Sequence, residues 1–137
     1  MKLSHTSEYA LRILSFMAKE PERLFSARYL VEHLNISDKY LRRMMTNLTK
    51  AGFIKSTQGR GGGYTFARNP GQIALADIID SFEGLGHYLG CVLGFEQCSD
   101  TNPCVMHTGW IHVRQQFEST FKNTTLADLN FDQVNKY

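Results

Sequence analysis

Apolar residues recur at helical spacing near the start of the chain. A widening apolar stripe around Leu11 and Leu14 predicts a first helix, which should begin after Thr6 or Ser7 as its N-cap. The helix should end before Pro21, because proline lacks the backbone N–H that a helix interior needs.

Two shorter apolar patterns follow. Ser26 should open a second helix and Ser37 a third, because serine side chains cap the free N–H groups at helix starts. The third helix should stop at Gly52, a residue that tolerates the left-handed conformation common just after helix ends. Two short helices joined by the brief turn Asn35–Ile36 predict a helix-turn-helix.

A glycine-rich segment between two strand-like stretches predicts a β-hairpin. Residues 53–56 and 64–67 have strand-like composition, and residues 57–63 between them contain four glycines and Arg60. Glycines let the tip approach a ligand closely, and Arg60 can enter a DNA minor groove or meet a phosphate. A nucleotide-binding loop is disfavoured, because neither a helix nor Lys-Ser/Thr follows.

A second long apolar stripe follows Asn102–Pro103, which should cap and open a long helix. Its residues are Met106, Trp110, Val113, Phe117 and Phe121. A chain of 137 residues with a small winged head has little surface to cover such a stripe, so we expect a homodimer in which the stripe packs on a second copy. Packing against the first helix is the alternative.

Charge divides the chain into two halves. Residues 1–70 carry a net charge of +7 and residues 71–137 a net charge of −5, although the whole chain carries only +2. The basic half is therefore the candidate polyanion binder, although ordinary surface charge would also explain it.

The candidate DNA-binding residues lie at the start of the third helix and at the hairpin tip. They are Ser37, Asp38, Lys39, Tyr40, Arg42, Arg43, Arg60 and Gly61. Basic side chains near the start of a recognition helix can reach base edges or phosphates. Any one of them alone is more often part of a solvated helix face, but the cluster together with the hairpin favours double-stranded DNA as the partner.

All three cysteines lie near one histidine, in the pattern Cys91-x6-Cys98-x5-Cys104-x2-His107. An odd number of cysteines cannot pair completely, and such thiols more often stay reduced or bind metal. Three thiolates and one imidazole suit zinc or an iron–sulfur cluster of two or four irons. The wide spacings favour the cluster, although zinc could replace it in purified protein. We expect Cys104 and His107 on one face of the long helix.

Other classes of protein find little support in the sequence. No long apolar run or signal peptide is present, so we expect a cytoplasmic protein without a membrane partner. Motifs for nucleophilic or redox catalysis are also missing, which argues against an enzyme. The predicted fold is mainly α with a small β-hairpin. We divide it into a winged helix-turn-helix region with a connecting helix (1–84), a cysteine loop (85–104) and a dimerisation helix with a C-terminal segment (105–137).

The order of these motifs resembles the Rrf2 family of winged-helix transcription regulators over nearly the whole chain. The matching segments are Glu8-Tyr9-Ala10-Leu11-Arg12, Ser37-x-x-Tyr40-Leu41, Gly59-Arg60-Gly61-Gly62-Gly63-Tyr64, Ile73-x-Leu75-x-Asp77 and Thr125-Leu126-Ala127-Asp128-Leu129. The resemblance implies a homodimer that binds a pseudo-palindromic operator, usually as a repressor.

The resemblance also bears on the cysteine loop. Cluster-binding members carry three cysteines there, matched by Cys91, Cys98 and Cys104. Their fourth ligand is a histidine matched by His107, or an acidic residue of the partner subunit matched in position by Glu8. The signal would be nitric oxide, redox state or cluster supply.

Other members lack a cluster, so control by thiols, zinc, a small molecule or a protein partner stays open. Regulators of cluster biogenesis carry a glutamate at the position of Arg42, and the sequence around Glu8 leans towards the nitric-oxide sensors.

Overall fold

The computed structural model describes residues 2–129 of the chain. This part contains five α-helices and one two-stranded antiparallel sheet. In chain order the elements are α1 (His5–Met17), α2 (Ala27–Leu34), α3 (Asp38–Lys50), β1 (Ile54–Thr57), β2 (Gly63–Phe66), α4 (Leu75–Phe82) and α5 (His107–Asn123). Short 3₁₀ turns lie at Pro70–Gln72, Leu85–Tyr88 and Leu126–Asp128. The mainly helical fold with a small hairpin is confirmed. The end of the third proposed segment, residues 130–137, lies outside the described residues, as does Met1.

The serine caps explain where the first three helices begin. Ser26 and Ser37 cap α2 and α3 as predicted, each accepting a hydrogen bond from a backbone N–H three residues later. For α1 the prediction was wrong, because Ser4 rather than Thr6 or Ser7 is the cap. The Ser4 hydroxyl accepts from the Ser7 N–H at 3.2 Å, so the helix already begins at His5.

Helices α1, α2 and α3 surround one apolar core. Leu14, Leu30, Leu41 and Met45 are fully buried at its centre. Asn35 adopts the left-handed conformation (φ 53°) between α2 and α3, which closes the tight turn of the helix-turn-helix.

The hairpin is tied to this core. Ile54 pairs with Phe66 in the antiparallel sheet, and Phe25 forms two backbone hydrogen bonds of 2.8 and 2.7 Å with Tyr64. Gly63 permits this close approach, since a Cβ there would lie 2.5 Å from the Phe25 carbonyl oxygen. The hairpin thus packs beside the helix-turn-helix as a wing.

Helix α5 packs against α4 rather than against α1. Phe117 and Phe121 contact a second small core formed by Ala76, Ile79 and Leu85. No residue of α5 is fully buried. Among residues 2–129, no helix is long and apolar enough to cross a membrane.

The predicted start of the long helix was wrong. Helix α5 begins at His107, so Cys104 and Met106 precede it instead of lying on its first turn. A separate turn, in which the His107 N–H donates to the Cys104 carbonyl at 3.1 Å, lies between Asn102 and the helix.

Candidate DNA interface and metal centre

The start of α3 presents the predicted DNA-contacting side chains on its exposed face. Lys39, Arg42 and Arg43 are exposed, whereas Tyr40 is half-buried against Tyr9 with ring centroids 5.0 Å apart. The Arg42 guanidinium lies 3.0 Å from the Asp38 carboxylate. Asp38 therefore orients the Arg42 side chain through an ion pair within the same helix.

Two further predicted residues have local structural roles. Ser37 is the α3 cap, and the Arg43 guanidinium lies over the Tyr40 ring at 5.3 Å from its centroid. These contacts fix side chains at the N-terminal end of α3, the end from which a recognition helix reads DNA.

The wing and the helix-turn-helix border one surface groove. Arg42 of α3, Arg28 of α2 and the wing residues Gly59 and Gly62 line it. Arg60 is exposed at the wing tip, beside Gly61 with φ +74°. Arg28, which the sequence analysis did not single out, is exposed one position after the first residue of the serine-capped α2.

The three cysteines converge in the segment between α4 and α5. Their Sγ atoms all lie within 4.8 Å of one another, and the Cys91 and Cys104 sulfurs are 3.7 Å apart. The His107 Nδ1 atom lies 3.4 Å from the Cys98 Sγ. The structure therefore brings together the four residues that the spacing singled out.

Glu8 lies elsewhere within one chain. Its carboxylate is 3.4 Å from His5 Nδ1 in the first turn of α1. A role for Glu8 as a ligand would require the partner subunit to supply it.

Local contacts change the acidity of two thiols. Burial raises the Cys91 pKa, but hydrogen bonds from the backbone N–H groups of Phe95 and Leu93 and from the neighbouring thiols outweigh it, so that the pKa is about 7. For Cys98, a backbone hydrogen bond at Cys104 lowers the pKa, whereas burial and the thiols of Cys104 and Cys91 together raise it above its usual value. Of these two thiols, Cys91 is therefore the one that more readily forms a thiolate.

Helix α5 holds the cysteine loop through two hydrogen bonds. Trp110 Nε1 donates to the Gly90 carbonyl at 2.7 Å, and Arg114 donates to the Leu89 carbonyl at 3.1 Å. Both side chains also line the small cavity beside the cysteines. Trp110 was predicted only as a dimer residue, and Arg114 was missed because its role depends on a contact across twenty-five residues.

The spacing of the donors tests whether a metal centre fits. With metal–sulfur bonds of about 2.3 Å, two thiolates on one tetrahedral metal lie about 3.8 Å apart. The Cys91–Cys104 distance of 3.7 Å has this value, and Cys98 and His107 form a second close pair at 3.4 Å. Because all three Sγ atoms lie within 4.8 Å of one another, the donor spacing fits a single tetrahedral ion such as zinc. Thiolates and an imidazole are also donor types that iron–sulfur clusters take.

A hydrogen-bond network joins the loop to the DNA-binding head. The Glu83 carboxylate accepts from the Ser4 N–H at 2.9 Å and from the Ser4 hydroxyl at 2.6 Å. The Tyr88 hydroxyl donates to Glu83 and lies 3.0 Å from the Lys2 carbonyl oxygen. The α1 cap and the segment leading to Cys91 therefore meet at one carboxylate.

Apart from Trp110, the predicted dimer residues divide into two groups. Phe117 and Phe121 stack with centroids 4.6 Å apart and pack against α4. Met106 and Val113 are 46% and 55% exposed, so the chain's own fold leaves them largely uncovered.

Comparisons with known proteins match nearly the whole chain to transcriptional regulators. The family model Rrf2, described as an iron-dependent transcriptional regulator, matches residues 3–132. A chain of Aquifex aeolicus (strain VF5) assigned to the HTH-type transcriptional regulators is 34% identical over 131 residues, which cover 94% of this chain and 91% of that one.

Two solved structures are similar over most of their length. CymR, the global cysteine regulator of B. subtilis, has a TM-score of 0.78 at 29% identity, with 93% of this chain and 95% of that chain covered. T. potens IscR has a TM-score of 0.71 at 29% identity, with 93% and 85% covered.

Proposed function

We propose, from the premise that this chain belongs to the Rrf2 family of transcriptional regulators, that it is a repressor. It would bind a pseudo-palindromic operator as a homodimer, and an iron–sulfur cluster would control this binding. The cluster would be held by Cys91, Cys98, Cys104 and His107, and it would respond to nitric oxide, redox state or cluster supply. The observation that carries this proposal is the convergence of three thiols and one imidazole at the start of α5.

DNA binding uses the exposed cations of α3 and the wing. Lys39, Arg42 and Arg43 would face the major groove, with Ser37, Asp38 and Tyr40 orienting this end of α3. Arg60 and Gly61 at the wing tip would contact the minor groove or the backbone. Arg28 borders the same groove as Arg42 and would add a phosphate contact.

The dimer would form through the uncovered apolar residues of α5, the cysteine loop and the two residues between them. They are Val92, Leu93, Phe95, Val105, Met106 and Val113, all of which are 46% exposed or more. A second copy is the occupant that the fold favours, because a two-fold dimer places one recognition helix in each of two successive major grooves.

Control would pass from the loop to the head through fixed contacts. Trp110 and Arg114 hold the residues before Cys91 on α5, and the Tyr88–Glu83–Ser4 network joins that segment to α1. A bound cluster supplies redox chemistry and a link between the loop and α5. Its loss would free the loop and change how the two heads meet their half-sites.

The metal proposal is tested on anaerobically purified protein by visible absorption with iron and sulfide analysis. We expect stoichiometric iron and sulfide with charge-transfer bands, and Cys98→Ala should lose them while remaining folded. Colourless protein that cannot be reconstituted, or a Cys98→Ala variant with the wild-type iron content and spectrum, would contradict the proposal.

The DNA proposal is tested by titrating operator DNA with Arg60→Ala at several salt concentrations. Loss of one phosphate or minor-groove contact should lower affinity about tenfold, and a lost phosphate contact should also reduce the salt dependence by about one counterion. Lys55→Ala, which removes an exposed cation from the body of the wing, serves as the matched control. Unchanged Arg60→Ala affinity at all salt concentrations would remove the wing tip from the interface.

Control by the thiols themselves is the second candidate. The low pKa of Cys91 and its 3.7 Å distance from Cys104 favour it, as does the similarity to the cysteine regulator CymR. It predicts iron-free protein whose operator affinity changes when a mild oxidant joins the two thiols and returns when a reductant separates them.

A further inference from the structure

The imidazole of His107 has a different partner on each nitrogen. Nδ1 lies 3.4 Å from the Cys98 sulfur, and Nε2 lies 2.8 Å from a carboxylate oxygen of Asp100. The His107 side chain is only 14% exposed. The ring is therefore fixed in orientation, with one nitrogen towards the cysteines and the other towards Asp100.

An ionised carboxylate can only accept hydrogen bonds, so the nitrogen beside Asp100 carries the proton of the neutral ring. The proton-free nitrogen is then Nδ1, with its lone pair directed at the Cys98 sulfur. A metal ligand needs this arrangement, because only an unprotonated ring nitrogen can coordinate.

Asp100 owes its position to the turn between Cys98 and Cys104. Ser99 and Asn102 exchange two backbone hydrogen bonds, and the Asn102 side chain donates to the Gln97 carbonyl at 3.1 Å. The Ser99 and Thr101 hydroxyls are 3.1 Å apart. The same turn that brings Cys104 back to Cys98 thus presents the intervening carboxylate to the ring.

We propose that Asp100 is a positioning residue of the metal centre, holding His107 as the Nε2-protonated tautomer so that Nδ1 is the ligand atom. This inference rests on the proposed metal centre. Removal of such a carboxylate partner from a metal-binding histidine typically lowers metal affinity by 10-fold to 100-fold, which is about the effect expected here.

A simpler role for Asp100 would be to stabilise the adjacent start of α5 through its negative charge. The carboxylate is 83% exposed, so an ion pair there contributes little to folding. The helix-start role would change thermal stability without changing which nitrogen of His107 is protonated. The tautomer therefore separates the two roles.

The first experiment measures the His107 tautomer in metal-free, reduced protein by long-range proton–nitrogen NMR. His107→Gln assigns the signal among the five histidines. Wild type should show the Nε2-protonated form, and Asp100→Ala should populate the Nδ1-protonated form. A wild-type Nδ1-protonated ring, or the same tautomer in wild type and Asp100→Ala, overturns the proposal.

The second experiment titrates the same metal-free proteins with Co²⁺ and follows thiolate-to-cobalt absorption. Asp100→Ala should bind Co²⁺ about 10-fold to 100-fold more weakly than wild type, with Asp100→Asn between them because its amide oxygen can still accept from Nε2–H. Glu96→Ala, which removes an exposed carboxylate from the same loop, should bind like wild type.

The two proposals fail in different ways. Wild-type protein that gives no thiolate-to-cobalt bands and cannot be loaded with iron contradicts the metal centre, whatever Asp100 does. Equal Co²⁺ affinities of wild type, Asp100→Asn and Asp100→Ala leave the metal centre intact and contradict the role of Asp100. A drop shared equally by Asp100→Ala and Glu96→Ala points to loop charge alone and likewise contradicts it.

Discussion

Glu83 shows how one side chain joins the two functional parts of the chain. Burial by itself would raise the Glu83 pKa, but hydrogen bonds from Ser4, Ser7 and Tyr88 outweigh it and lower the pKa from its ordinary value of 4.5 to about 2. The same contact raises the pKa of Tyr88 to about 12, because the Glu83 carboxylate accepts a hydrogen bond from the protonated hydroxyl. The folded protein therefore stabilises the ionised form of Glu83.

The depressed pKa of Glu83 predicts a contribution to stability that is complete above about pH 4.5 and is lost as the pH falls towards 2. Glu83→Gln should lower the free energy of unfolding at pH 7 by about 2 kcal/mol and should flatten the acid-side decline. Denaturant unfolding at pH 7 and pH 3, at one protein concentration, measures both effects. Glu22→Gln, at an exposed carboxylate, is the control, and equal acid-side slopes in Glu83→Gln and wild type would contradict the assignment.

At the residue scale, the sequence singled out the proposed metal ligands but not the residues that hold them in place. Cysteine and histidine are common metal ligands, so their residue types and spacing were enough to single out Cys91, Cys98, Cys104 and His107 as candidates. Asp100, Arg114 and Glu83 are common surface residue types. Their roles arise from contacts that only the folded loop creates, and no pattern along the chain marks them.

The helices and strands differ in how well their ends could be predicted. The ends at Ser26, Ser37 and Gly52 were predictable because each depends on one residue and its neighbours within a turn. The starts of α1 and α5 were not. Ser4 is held by Glu83, 79 residues away. In the second case, the Asn102–Pro103 signal is followed by a turn that is closed between Cys104 and His107, and the helix begins only after it.

The close packing at the wing tip depends on Gly62. A Cβ on Gly62 would lie 2.1 Å from the Thr57 carbonyl oxygen across the hairpin, so Gly62→Ala must open or twist the tip. We expect about 1–3 kcal/mol less stability and weaker operator binding. Gly86→Ala adds the same methyl group into open space outside the wing and serves as the control. Calorimetry and DNA titration measure the two effects, and wild-type behaviour in both would show that the tip adapts freely.

At the scale of the whole molecule, the regulator has a small basic head and an acidic C-terminal half that carries both the proposed metal centre and the uncovered apolar surface. Helix α5 serves both functions. Trp110 and Arg114 face the cysteine loop, Phe117 and Phe121 pack on α4, and Val113 remains 55% exposed. A dimer interface formed through α5 would therefore lie directly beside the proposed metal ligands. A change at the proposed cluster would then also change the angle between the two heads.

This arrangement predicts that dimerisation can be removed without unfolding the chain. Because Val113 is exposed in the single chain, Val113→Asp should leave each chain folded but bury an unpaired charge in the dimer. We expect the dimer dissociation constant to rise at least about 100-fold, measured by sedimentation equilibrium.

The control for Val113→Asp is Gln115→Asp, which adds the same charge at an exposed site about 200° around the helix. Gln115→Asp should remain dimeric. Operator binding should follow the oligomeric state, because a single head reaches one half-site and loses the second recognition helix one turn away. A Val113→Asp protein that stays dimeric would remove this face of α5 from the interface. A monomer that binds the full operator as tightly as wild type would show instead that the two heads bind independently, and control through their relative angle would then be impossible.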